Sequence, residues 1–144
     1  MTKYLIKKIK AKRNMVIKVS TLFIIILLSY SASSQTSDWI APPESINLIN
    51  PLKGDEKALV KGKKIYYQIC ATCHGRTGIG DGPGGKTFDP KPADHTSDKV
   101  QKQSDGELFW KITNGRGDMP TYGQLLSKKQ RWQVIEYMRL LKKN

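Results

Sequence analysis

Cysteine occurs at only two of the 144 positions, and both stand in Cys70-Ala71-Thr72-Cys73-His74. Two thiols at this spacing can add to the two vinyl groups of a haem, and the histidine that follows then lies beneath the iron. C-x-x-C-H is the spacing of c-type haem attachment. A chain marked in this way has to fold around a flat, rigid body fixed to it at two points. About 110 residues follow the first 34, enough for one small domain. A core of that size is marginal by itself, and a buried haem supplies apolar surface that the chain lacks.

Other uses of the cysteine pair fit less well. A thioredoxin-like dithiol expects a strand before the motif and a helix opening at the first cysteine. Here Lys57 to Ile69 have a helical pattern, so the cysteines end a helix. Structural zinc wants four nitrogen or sulfur ligands in a tetrahedron, and the chain offers Cys70, Cys73, His74 and His95 alone. Neighbours such as Cys73 and His74 rarely both face one ion.

Haem iron needs a second axial ligand if it is to carry electrons instead of binding small molecules. Met119, in Gly117-Asp118-Met119-Pro120, is well placed to supply it. Gly115 ends a helix, Gly117 lets the chain turn and Pro120 stiffens the exit, so a thioether between them can be presented to the far side of the haem. A Met/His pair raises the reduction potential. His95 is a rival sixth ligand, although a lone loop histidine is more often solvated. Met138 lies on a helix face, where core packing is the default.

The amino terminus carries seven basic side chains in its first 34 residues and no acidic one. An apolar run from Val19 to Leu28 follows, and then small residues from Ser29 to Ser34. This order marks a secretory signal, with the mature chain expected to begin near Gln35. The apolar core is about ten residues, short for a bilayer of about 30 Å. An uncleaved amino-terminal anchor is the alternative, and Met15 is a second candidate start. Of the 25 basic residues, 18 remain after residue 34 against 12 acidic ones, so the mature net charge is about +6 rather than +13. Export and the absence of a five-residue basic cluster argue against nucleic acid as partner. Moderate positive charge suits docking onto an acidic protein surface.

Along the mature chain, residues 35–54 have prolines and no helical period, which predicts an extended lead segment. Whether Trp39 and Ile40 pack on the domain is left open. Asp55 is the expected N-cap of a helix to Cys70. Gly62, Tyr66 and Cys70 share one of its faces, and a glycine that costs ~1 kcal/mol inside a helix points to close approach of another helix. Residues 75–99 form a long loop, with six glycines and three prolines. Such a loop needs an organiser, and the haem is the expected one. A helix capped by Ser104 or Asp105 runs to Asn114 with Leu108, Phe109 and Ile112 as its apolar stripe. The last helix starts at Ser127, whose pattern with Gln130 is a capping box. No strand-like alternation occurs, so the architecture is all-α.

Residues 55–144 resemble class I cytochrome c. The resemblance is carried by Gly62, Tyr66 and the Cys70–His74 pentad, by Gly78-Ile79-Gly80-Asp81-Gly82-Pro83, and by Asp105 to Gly115. Met119-Pro120 and Trp132 to Met138 complete it. It implies a cytochrome c fold, three to four helices around one covalently attached haem c, with the first and last helices crossing so that Tyr137 packs on Gly62 and Tyr66. It also implies that the carbonyl of Pro83 receives the ring N–H of His74, leaving Nε2 for iron. The chain departs from the pattern at His95, where similar proteins often have an aromatic. The expected function is single-electron transfer between respiratory or periplasmic redox proteins, without catalysis of its own. The expected alternatives are a haem subunit of a larger dehydrogenase or oxidase complex, and a five-coordinate haem enzyme or gas sensor. Membrane contact is expected only through a partner or an uncleaved anchor. Lys86, Lys91, Arg116 and Lys128 are candidate docking residues around an exposed haem edge.

Overall fold

The computed structural model describes residues 38–143, and every regular element among them is helical. The export segment expected at residues 1–34, with the alternative starts at Met1 and Met15, lies outside the described residues. From Asp38 onward the chain forms one compact unit, lead segment included.

That lead segment is not extended throughout. Pro42 and Pro43 open a short helix, α1 (Pro43–Ile46), as proline suits a first helical turn, where its missing N–H costs nothing. Trp39 packs edge-on against Trp110 with centroids 6.4 Å apart, whereas Ile40 is 78% exposed. Trp39 therefore packs on the domain and Ile40 does not. A Cβ on Gly106 would collide with the carbonyl of Ser45, so α1 rests directly on the backbone of a later helix.

The first long helix starts where the capping signal places it. The carboxylate of Asp55 accepts from the N–H groups of Lys57 and Ala58 at 2.8 and 3.1 Å, satisfying donors that a helix start leaves unpaired. Helix α2 (Glu56–Ile65) then widens into a π turn over Tyr66–Cys70 and continues as α3 (Ala71–His74). Gly75, at φ 76°, ends it. The helix thus runs one turn past the expected end at Cys70 and carries the whole pentad.

Helix α4 (Asp98–Gln101) is short. Helix α5 (Asp105–Asn114) has a full capping box between Ser104 and Glu107, and α6 (Lys128–Leu140) has one between Ser127 and Gln130. Helices α2 and α6 cross at Gly62, where a Cβ would collide with the carbonyl of Gln133. Tyr137 packs on Tyr66 at 5.1 Å between ring centroids. The expected crossing is therefore present, and the missing Cβ is what lets the two backbones meet. Residues 131–138 of α6 are all buried, because α2, α5 and the lead segment cover it from different sides. Tyr66, Val134 and Ile135 are the most buried side chains of the core, which Leu108, Phe109, Ile112 and Trp132 extend. Each such burial is worth about 1.5–3 kcal/mol relative to exposure.

Candidate functional site

The pentad sits where the π turn passes into α3. Both cysteines are free thiols, each half-buried. Burial, followed by the neighbouring Cys73, pushes the Cys70 thiol up to about 12, so it stays protonated in this setting. His74 is buried, and its Nδ1–H donates to the carbonyl of Ala93 at 3.0 Å. Burial lowers the basicity of the His74 ring, against the pull of that carbonyl. The ring is neutral with its proton on Nδ1, which leaves the Nε2 lone pair available.

The acceptor corrects the expectation placed on Pro83. Pro83 begins a 3-10 turn, Pro83–Gly85, and the flanking Gly82 and Gly84 lie against the backbone of Thr72 and Cys73. Gly82 N–H donates to the Cys73 carbonyl at 3.0 Å. Pro83 therefore borders the attachment turn, while the imidazole is met from the side where the chain from Lys91 to His95 crosses it.

The 75–99 loop is held by its own polar groups to a degree that its composition does not reveal. Gly80 N–H donates to the His74 carbonyl at 2.9 Å, and His95 N–H to the Gly78 carbonyl at 2.7 Å. Gly80 packs against the Pro92 carbonyl so closely that no Cβ fits there. Protein contacts around His74 hold the loop, beside the haem expected to organise it.

His95 is buried, contrary to the solvated role expected of a lone loop histidine. Its ring lies nearly parallel to that of His74, with centroids 4.0 Å apart and planes at 22°. Its Nδ1 is 3.1 Å from the hydroxyl of Tyr66. Burial, and then His74, hold its basicity well below the ordinary histidine range, so the ring is neutral. His95 lies flat against the face of His74 and not opposite its Nε2, so it would not be placed as a second ligand to an iron that His74 held.

Met119 sits on a tight turn between α5 and α6. Arg116 and Met119 exchange two backbone hydrogen bonds of 3.0 Å, and Gly115 and Gly117 adopt left-handed φ values of 64° and 56° that a side chain would strain. The turn is anchored to α5 where Tyr122 N–H donates to Ile112 and Gly123 N–H to Thr113. Met119, Tyr122 and Cys70 all pack against the same core cluster. The Tyr122 hydroxyl is pushed up, chiefly by its burial. Ala93 belongs to the site without any local sequence signal that marks it. The expected docking residues Lys86, Lys91, Arg116 and Lys128 are all exposed, and the Arg116 guanidinium lies over the Trp39 ring at 5.3 Å.

Residues 57–138 match the sequence model of the family described as cytochrome C oxidase, cbb3-type, subunit III. The chain belongs to this cytochrome c family. The cytochrome is 33% identical over 103 residues to the cbb3-type cytochrome c oxidase subunit FixP of Azorhizobium caulinodans, a match that covers 70% of this chain and 31% of that subunit. It is also similar to a chain of the reducing HAO-like protein complex of Kuenenia stuttgartiensis, with a TM-score of 0.57 and 31% identity. That likeness covers 68% of this chain and 49% of the other. The cytochrome thus spans about a third of the curated relative and about half of the solved chain.

The fold is the all-α cytochrome c fold, and the cofactor is covalently bound haem c with its iron. The residues present fit that group: two unbonded thiols stand on one side of a helix end, and the adjacent histidine has Nδ1 already occupied and Nε2 left over. The protein is an electron-transfer haem protein.

Proposed function

We propose that the cytochrome carries single electrons between redox proteins through one haem, held by Cys70 and Cys73, with His74 and Met119 as axial ligands. Haem iron in a Met/His field supplies one-electron cycling at a raised potential, without an open coordination site. The observation that carries the reading is the state of His74, buried beside two free thiols with its Nδ1–H committed to the Ala93 carbonyl. That bond fixes the tautomer and raises the basicity of the other nitrogen. Met119 supports it through its packing on the core cluster that Cys70 also meets, and through a hydrogen-bonded turn that can present a thioether.

The chain does no chemistry on a substrate in this reading, and it works as an exported, periplasmic protein. Its partners are a donor and an acceptor that present acidic surface to the exposed lysines, and steering of this kind raises encounter rates. A second reading makes it the haem subunit of a larger redox complex. The two relatives favour it, since one is an oxidase subunit and the other a chain of a protein complex, and each extends well beyond the matched region. Size-exclusion of the native protein separates the two, because a carrier elutes at the monomer and a subunit with its complex.

Met119→Ala tests the ligand set. The variant is expected to lose the weak far-red absorption of sulfur–iron ligation, to bind cyanide or carbon monoxide, and to show a lower potential, since a soft sulfur favours ferrous iron. A variant that keeps the spectrum and potential of the native protein contradicts the assignment. A native protein that already binds carbon monoxide favours a five-coordinate enzyme or gas sensor.

A further inference from the structure

His95 is fixed more completely than a loop residue needs to be. It is 7% exposed. Its N–H donates to the Gly78 carbonyl at 2.7 Å, and its carbonyl accepts from the Gln101 amide at 2.6 Å. The same amide also reaches the Met138 carbonyl at 2.9 Å, which ties the loop to α6. Its ring is held on the other side by the Tyr66 hydroxyl at 3.1 Å. Tyr66 has no exposed surface and is itself packed by Tyr137. Neither the backbone nor the ring of His95 is free to move.

What this rigid ring touches is His74, face to face at 4.0 Å. An imidazole bound to a metal keeps one soft degree of freedom, rotation about the bond to the metal. A hydrogen bond at one edge limits that rotation, and a parallel ring against the face blocks it. The edge bond comes from Ala93, only two residues before His95, so the anchors that fix His95 also fix the Ala93 carbonyl. Partners behind a ligating histidine set its orientation and its donor strength.

We propose that His95, held by Tyr66, is a positioning residue for His74: its ring sets the plane of the axial imidazole, and its anchored backbone keeps the Ala93 carbonyl on Nδ1. The inference rests on His74 as the axial ligand under the proposed function. Loosening the arrangement weakens the bond at Nδ1, makes Nε2 a poorer donor, and so raises the reduction potential.

The test compares holoprotein carrying His95→Leu, His95→Phe, Tyr66→Phe and the Tyr66→Phe/His95→Leu pair. Two properties are read: the potential, and the pattern of haem-methyl shifts in the ferric proton NMR spectrum, which follows the plane of the axial imidazole. His95→Leu fills the site without an aromatic face. It is expected to raise the potential and rearrange the methyl shifts while keeping the far-red absorption. His95→Phe restores the stacked face and should return the methyl pattern most of the way. Tyr66→Phe should move both properties in the direction of His95→Leu, and the double variant should go no further than His95→Leu alone, as residues acting through one another are not additive. Native values in His95→Leu, equal displacement in His95→Phe, or additive shifts in the double variant overturn the proposal. If His95→Leu yields no holoprotein, a native methyl pattern in Tyr66→Phe overturns it. His74→Ala separates failure of this inference from failure of the ligand assignment, because unaltered axial ligation in that variant removes His74 from the iron altogether.

Discussion

Glu136 shows how much of this protein's stability is decided by single buried polar atoms. It is buried on α6, and both its oxygens are used, one accepting from the Asn50 amide at 2.6 Å and the other from Gly54 N–H at 2.8 Å. The same Asn50 amide reaches Asp105 at 3.0 Å, and Asp105 accepts from Arg139 Nε at 2.7 Å. Arg139 also caps the carbonyls of Gln101 and Gln103 at 3.0 and 2.7 Å. A buried carboxylate is tolerable only with such donors. Glu136→Ala leaves one proton of the buried Asn50 amide without its acceptor, at a cost of about 1–3 kcal/mol, while the exposed Gly54 N–H turns to water. The loss expected in denaturant unfolding of the holoprotein is about 2 kcal/mol, partly recovered in Glu136→Gln, whose amide oxygen still accepts. A loss under about 0.5 kcal/mol, the size of an ordinary surface change, contradicts this account. None of the network is legible in sequence, where Asn50 lies among prolines and Glu136 in an amphipathic helix. Their meeting depends on how the lead segment crosses α6. The pentad could be read because its chemistry is set by spacing alone. The acceptor for His74 could not, because Pro83 and Ala93 are both nearby loop carbonyls and only the crossing of the loop chooses between them.

Elements were legible to the extent that their signals are local. Asp55, Ser104 and Ser127 cap where their side chains predict, because a cap needs only the next three residues. The π turn at Tyr66–Cys70 carries no such signal, nor does α1, where the prolines that suggest extended chain open a helix. Gly62 is the clearest link from element to packing. Alanine there gains about 1 kcal/mol of helix propensity, but the new Cβ meets the Gln133 carbonyl, backbone that a rotamer change cannot move. Overpacking typically costs about 1–3 kcal/mol, so Gly62→Ala is expected to lower stability by about 2 kcal/mol despite the better helix former. Thermal unfolding of the holoprotein measures it, and a raised midpoint contradicts the crossing described here.

At the scale of the whole molecule, the all-α class and the order of the family's motifs were readable from the chain. The tightness of the 75–99 loop was not. Glycine and proline content reports that a segment avoids helix, but says nothing of the hydrogen bonds that fold it back onto His74. The positive balance of residues 35–144 is likewise legible, while its distribution is not, as the Arg116 guanidinium over Trp39 illustrates. Those features fit the proposed function, in which a small helical shell would hold a single haem between His74 and Met119 and pass electrons one at a time. Potentiometric titration of the purified holoprotein, followed by its visible spectrum, tests that account most directly. It predicts a single one-electron wave with low-spin spectra in both the ferric and ferrous states. A second wave, or a high-spin spectrum in either state, contradicts it.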